Sequence, residues 1–262
     1  ISTTIDGMKI FYACTDKMDP VTSYVESSNL QSIMLNSGLS GNPQSTGNIG
    51  GSLDLKLRRA HFGGTPFRLG ADIGHEFNGH MQVYGIDAAV SSRRFYTNGG
   101  VTLRHASNYK EGGGNEILYS QFQKLNIFDN IGVKVTADDI VEATIIYDRA
   151  TDVGYPALNM DVSKAEAIIM SLTHKHLWPE SPLLSLETKV YHNRITHIMD
   201  DSKRPDVDIR MDMPGKSQTS GLYSLLKATA ARHNLQLNFD LYVNRLFADM
   251  TMYPGGAAPM YM

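Results

Sequence analysis

Cys14, the one cysteine of the chain, stands four residues before Met18 in the run Ala13-Cys14-Thr15-Asp16-Lys17-Met18-Asp19-Pro20. Far downstream, His197-Ile198-Met199 offers an imidazole and a second thioether. A thiolate, two thioethers and one imidazole form the soft ligand set that selects copper(I) over harder cations. On a strand, residues 197 and 199 point to the same face, so both donors can reach one ion. Each residue also has an ordinary role, since a free cysteine is among the most buried residue types and a methionine fills gaps in a core. Which role holds depends on the elements that carry the two pairs.

Other chemistry is weaker. His75-Glu76-Phe77-Asn78-Gly79-His80 evokes a zinc protease but fails on spacing, because that motif needs histidines at i and i+4 on a helix. Here the separation is five, and an Asn-Gly turn intervenes. His174 and His176 share a strand face, with no third ligand evident in the sequence. Met211 and Met213 precede Pro214-Gly215, and Met250, Met252, Met260 and Met262 gather late in the chain. These methionines read as loop or rim residues whose thioethers could also relay a soft ion. No Gly-x-Ser-x-Gly, phosphate loop or paired acid/base constellation is present, so the chain is not expected to be an enzyme.

The chain has 262 residues and a formal net charge of -3, with none of the basic excess that marks a nucleic-acid partner. One cysteine precludes an internal disulfide framework. No run of 18 apolar residues occurs, which excludes a membrane helix but not a membrane β-barrel, whose alternating strands average out in hydropathy. The chain begins at Ile1 without a signal peptide and reads as a piece of something longer.

The elements that position the candidates read as strands. Residues 1–50 are largely irregular in pattern and end in a Gly-rich hinge, Thr46-Gly47-Asn48-Ile49-Gly50-Gly51. After it the period is two. Leu53, Leu55 and Leu57 alternate with polar residues, as do Val141 to Tyr147, Leu184 to Val190 and, most clearly, Leu235, Leu237, Phe239, Leu241 and Val243. The last run predicts a strand of about 16 residues, against a usual length of roughly 5–6. Glycine and asparagine clusters at 63–64, 78–79, 98–100, 111–114 and 233–234 read as turns. About ten strands follow the hinge on this reading. Alternation alone fits a soluble sandwich with its apolar face inward, or a membrane barrel with its apolar face outward. Strand length favours the barrel.

Several phrases resemble the TonB-dependent outer-membrane receptors, of the Bacteroidetes-like type. They are Ile5-Asp6-Gly7-Met8, the run from Cys14 to Tyr24, Gly50-Gly51-Ser52-Leu53-Asp54-Leu55, Val153 to Asp161, and His197-Ile198-Met199-Asp200-Asp201. The resemblance covers essentially the whole chain and is to the copper-type receptors in particular. It implies an all-β fold: an antiparallel transmembrane β-barrel portion with part of an N-terminal plug domain. Residues 1–50 would be the C-terminal part of the plug, and 51–262 the N-terminal part of the barrel.

The same resemblance implies that Cys14 and Met18 on the plug and His197 and Met199 on the barrel hold a copper ion, as Cu(I), which is substrate and not cofactor. Implied partners are outer-membrane lipid, a metal or metal-chelate ligand, and the TonB energy-coupling complex, reached through a segment not in this chain. A plugged barrel of this kind closes with about 22 strands, so 262 residues are not expected to form a working channel. Two alternatives stand: a receptor for an iron-siderophore or cobalamin-like nutrient, and a soluble β-sheet binding module.

Overall fold

The computed structural model describes residues 2–14, 17–38, 49–255 and 257–261. Thr46 to Asn48 of the hinge, and Thr15 and Asp16 of the Cys14 phrase, lie outside the described residues. Two sheets hold the strands. The smaller comprises β1 (Ser2–Ile5), β2 (Met8–Lys9), β3 (Leu30–Asn36) and β4 (Ser52–Leu57) in the order β2-β1-β4-β3, with β1 and β4 parallel. Two short 3₁₀ turns, Val21–Tyr24 and Ser27–Asn29, join β2 to β3.

Here the structure is more regular than the pattern of residues 1–50 suggests. Strands of two and four residues such as β2 and β1 are too short to show a period, and β3, with Ile33, Met34 and Leu35 in succession, does not alternate. The alternating run Leu53 to Leu57 belongs to this small sheet, paired with β1 and β3. The sheet changes between Leu57 and Phe67.

The larger sheet has eleven antiparallel strands: β5 (Phe67–Glu76), β6 (Met81–Ser91), β7 (Phe95–Ala106), β8 (Phe122–Lys134), β9 (Asp139–Val153), β10 (Asp161–Leu177), β11 (Leu183–Asp200), β12 (Ile209–Ala230), β13 (His233–Ala248), β14 (Thr251–Pro254) and β15 (Met260–Tyr261). Among the described residues β5 pairs only with β6 and β13 only with β12, so the wall is not closed on itself. Sequential neighbours pair through β12, which takes β13 along Gly215 to Ala230 and β14 along Ile209 to Asp212. Long connections (107–121, 154–160 and 201–208) lie at one rim, and short turns (92–94, 135–138, 178–182 and 231–232) at the other.

Two turn signals fall inside strands. Asn98-Gly99-Gly100 is mid-β7. A Cβ on Gly100 would meet the Phe128 ring at 2.9 Å, and one on Gly99 the Asp129 carboxylate at 2.9 Å, so these glycines make room for side chains of β8 instead of turning the chain. His233-Asn234 opens β13, the turn being at 231–232.

Strand β13 decides which way the apolar faces point. Leu237, Phe239 and Leu241 are 69%, 58% and 58% exposed. Between them, Asp240 pairs with Lys9 of β2 and Tyr242 stacks on Phe11 at 5.5 Å. The polar set thus faces the small sheet and the apolar set faces away from it. The outward row continues across the wall as Leu241, Leu222, Val190, Leu172, Ala143 and Ile131, each opposite the next. Moving each large side chain of such a belt from water into hydrocarbon is worth about 1.5–3 kcal/mol. This is the inside-out pattern of a membrane barrel wall.

The inner face is not uniformly polar. Where the small sheet docks, Phe128, Ile146, Ile169 and Ile195 of the wall form one core with Ile5, Met8, Leu55 and Leu57. Around that core the contact is polar. Lys189 donates to the Asp6 carbonyl at 2.8 Å, Asn193 to Lys9 at 2.9 Å, and Lys124 to Glu26 at 2.8 Å. Asn29 donates to Asn126 at 2.7 Å. Burial of these groups is tolerated because each finds a partner across the two sheets.

Candidate metal centre

The segment bearing Cys14 is shaped by Asp19. Its carboxylate accepts from the Ala13 N–H at 2.9 Å and from the Cys14 N–H at 3.2 Å. The Tyr24 hydroxyl donates to the same carboxylate at 2.9 Å. Burial, together with the adjacent Asp19 charge, holds the Tyr24 phenol well above its usual range, so it remains a donor. The Cys14 carbonyl accepts from Lys17 N–H at 3.1 Å, and Lys17 is left-handed at φ 56°. Asp-to-backbone bonding of this kind fixes a loop that no sheet supports.

The segment lies against β11 and β12 because of a glycine. A Cβ on Gly215 would sit 2.1 Å from the Ala13 carbonyl oxygen, so only a residue without a side chain admits this approach. Gly215 is directly opposite His197 in the β11–β12 ladder, and Met213 directly opposite Met199. His197 and Met199 are both buried, each 2% exposed, on the inner face near the long-loop rim.

Cys14, His197, Met199 and Met213 line one cavity of about 20 Å³, with Ala13, Pro214, Gly215, Ala248 and Asp249. Cys14 and Met199 also share a buried cluster with Met160 and Val162, against which Met18, Tyr155, Met211 and Met213 pack. Both predicted pairs therefore converge on one place, Met18 through that cluster and the other three also around the cavity. Among the described residues no three His, Cys, Asp or Glu side chains group to hold a metal ion. Any metal binding here depends on thioether sulfur.

Sequence reasoning missed two contributors, Met160 and Arg204, and put two others, Met211 and Met213, in a loop. Met160 was not singled out, because it precedes β10 in a loop and gains its place only when that loop folds inward. Met211 and Met213, expected in a loop, lie in β12, where Pro214 interrupts a strand pattern. Arg204, in the 201–208 connection, pairs with Asp161 through Nε at 3.0 Å and Nη2 at 2.5 Å. It also donates to the Tyr155 carbonyl at 3.0 Å and lies over the Tyr119 ring at 3.6 Å. One guanidinium thus ties together three long connections beside the cluster. A lone arginine in a polar loop carries no signal of such a role.

The other histidines do not join the site. His75 and His80 are side by side, with ring centroids 6.2 Å apart at the β5–β6 turn. His174 and His176 both bond Asp139 Oδ1, at 3.0 and 2.7 Å, toward the short-turn rim.

No protein-family model matches the sequence, and no curated protein matches it closely. Solved structures match nearly all of it. The copper transporter OprC is 21% identical with a TM-score of 0.88, over 97% of this chain and 40% of that one. A double mutant of the Serratia marcescens hemophore receptor HasR, in complex with its hemophore HasA and heme, is 14% identical with a TM-score of 0.70, over 99% and 43%. The siderophore receptor PiuA from Acinetobacter baumannii is 10% identical with a TM-score of 0.65, over 96% and 38%. The chain thus spans less than half the length of each of these three structures. At these identities the likeness is one of fold: a wall of long antiparallel strands around a small inner sheet.

Proposed function

We infer, since the chain has the fold of the TonB-dependent outer-membrane receptors, that it is the substrate-binding portion of an importer in the bacterial outer membrane and that its substrate is copper. The small sheet and the segment to Leu57 act as part of the plug, and β5 to β15 as part of the barrel. Import rests on binding, with no bond made or broken in the substrate.

The observation that carries this reading is the cavity between Cys14, His197 and Met199. At about 20 Å³ it has room for one water-sized sphere. A chelate or organic nutrient needs a pocket of roughly 300–1,000 Å³. Sulfur and imidazole donors around so small a space suit a bare soft cation, and Cu(I) is the biological ion of that class. Cys14 and Met18 belong to the plug side, His197 and Met199 to the wall. Energy-coupled displacement of the plug would pull the two pairs apart and lower the affinity at the moment of release. The OprC likeness, in a protein described as a copper transporter, supports the same substrate.

The test is a competition between the purified full-length protein and a chromogenic Cu(I) chelator. Cys14→Ala combined with His197→Ala is expected to weaken Cu(I) binding at least a hundredfold, about 2.7 kcal/mol. Undiminished affinity in a folded double variant would reject the site.

A further inference from the structure

The run His75-Glu76-Phe77-Asn78-Gly79-His80 carries β5 into β6 at the rim with the long loops. On a continuous strand residues 75 and 80 would face opposite sides. The turn reverses that. Gly79 and His80 are both left-handed, at φ 78° and 48°, and they bring the second imidazole back beside the first. The ring centroids are 6.2 Å apart, with 34° between the planes. Positive φ is uncommon for a residue with a side chain, and it persists where the surroundings impose it.

The surroundings are the 107–121 connection. Asn78 Oδ1 accepts from the Lys110 N–H at 2.7 Å, and Asn78 Nδ2 donates to the Lys110 carbonyl at 2.9 Å. The Gly79 carbonyl accepts from the Ser107 N–H at 2.8 Å. The Phe77 and His75 rings meet edge to face at 5.3 Å. These contacts hold the turn while both imidazoles stay exposed. Neither imidazole makes a hydrogen bond or ion pair with another described residue. The histidine pair at the opposite rim differs: His174 Nε2 and His176 Nδ1 are both taken by Asp139 Oδ1. Of the two pairs, the one at the long-loop rim has ring nitrogens free for a ligand from solution.

A metal–imidazole bond is about 2.0–2.1 Å long, which sets the ion about 3.2 Å from each ring centroid. Two rings on one ion are then about 4.5 Å apart when the bonds meet at a right angle and about 6.4 Å apart when they are in line. The observed 6.2 Å lies inside that range, so rotation of exposed side chains brings both nitrogens to one ion. Imidazole suits divalent ions of the first transition row, and among these Cu(II) binds ahead of Zn(II).

We propose that His75 and His80 form a two-imidazole site for a divalent transition-metal ion, Cu(II) ahead of Zn(II), at the long-loop rim, with water completing the coordination. The site is separate from the one around Cys14: its donors are exposed nitrogens, and the ion keeps its oxidation state.

The test uses the purified, untagged full-length protein with Cys14→Ala throughout, so that this thiol cannot reduce the added ion. Cu(II) is titrated at mildly alkaline pH, since imidazole binds metal in its neutral form. Bound ion is counted after dialysis, and its electron paramagnetic resonance is recorded. H75Q/H80Q is expected to bind one Cu(II) fewer than the parent and to lose a signal split by two imidazole nitrogens. H174Q/H176Q is expected to bind as much as the parent, and equimolar Zn(II) to leave most of the Cu(II) in place. Asn78→Ala keeps both imidazoles but frees the turn, and is expected to weaken binding at least threefold. An equal count in H75Q/H80Q, equal loss in H174Q/H176Q, no two-nitrogen splitting, or displacement by equimolar Zn(II) would overturn the proposal. Full affinity in Asn78→Ala would overturn the part given to the turn. Melting temperatures equal to the parent's report that the variants are folded. Cu(I) binding is measured separately in protein that keeps Cys14, so failure here leaves that reading standing.

Discussion

Gly215 and Ala13 touch through backbone alone: a Cβ on Gly215 would lie 2.1 Å from the Ala13 carbonyl oxygen. The residue after Ala13 is the proposed sulfur ligand, and the residue opposite Gly215 is His197. The segment and the wall therefore meet backbone to backbone where the two proposed ligand pairs converge. Gly215→Ala is expected to push the Cys14 segment inward and weaken Cu(I) binding at least tenfold, about 1.4 kcal/mol, in a protein that still folds. Chelator competition measures it, and unchanged affinity would show that the site does not need this contact.

Asp19 accepts from two backbone N–H groups and one phenol. Asp19→Asn keeps the size but turns one acceptor into a donor, which sets N–H against the Cys14 N–H in one orientation of the amide and against the Ala13 N–H in the other. A buried group left unsatisfied costs about 1–3 kcal/mol. Hydrogen exchange over residues 11–25 should quicken accordingly, and Cu(I) affinity should fall with it. Protection equal to wild type would assign the shape of the segment to something other than Asp19.

Arg204→Ala leaves the Asp161 charge buried and unpaired, at a cost of about 3–5 kcal/mol, and frees the 201–208 connection from 107–121 and 154–160, which stay joined to each other through the Gly154 N–H and the Gln121 carbonyl. Limited proteolysis is expected to cut these connections sooner. Arg204→Lys should recover only part of the protection, because an ammonium cannot make the forked contact with Asp161 or stack on Tyr119 in the same way. Equal protection in all three proteins would remove Arg204 from its role as a tie.

The turn between β1 and β2 is held by charge. Asp6 Oδ2 meets Arg59 at 2.7 Å, and its backbone carbonyl accepts from Lys189. Burial pushes the Asp6 carboxyl up, but Arg59 and Lys189 outweigh burial and hold it below the usual carboxylate value. The folded-state value thus lies under the unfolded one, near 3.9. The contribution is fully present above that unfolded value and is lost as pH falls through the lowered one. Acid should loosen the small sheet from the wall below about pH 4, and Asp6→Asn should flatten that acid limb. Melting curves of both proteins between neutral pH and pH 3 test it; parallel curves would refute the assignment.

Much was legible in the chain because strand alternation is a local property. The run from Leu235 to Val243 marks β13, and its length marks a wall strand, since both follow from a period of two over neighbouring residues. Small-sheet strands such as Met8–Lys9 escaped, because two residues have no period and their stability comes from partners elsewhere. The glycines of β7 misled for a related reason. Locally they read as a turn, and only Phe128 and Asp129 on the next strand explain them.

The sequence by itself determined the candidate donor set: one thiol, an i+4 thioether, and an imidazole and thioether on one strand face. It determined the alternation too, but not its sense, because a period of two is the same whether apolar residues face a core or a lipid. Tertiary structure decided both open questions. Asp240 meets Lys9 inside, so Leu237, Phe239 and Leu241 point out. Gly215 admits Ala13, so Cys14 comes to rest beside His197 and Met199, 183 residues farther along in the case of His197. Each decision is a contact between residues distant in the chain, and such contacts exist only once the segment from β2 to Cys14 and the wall have packed.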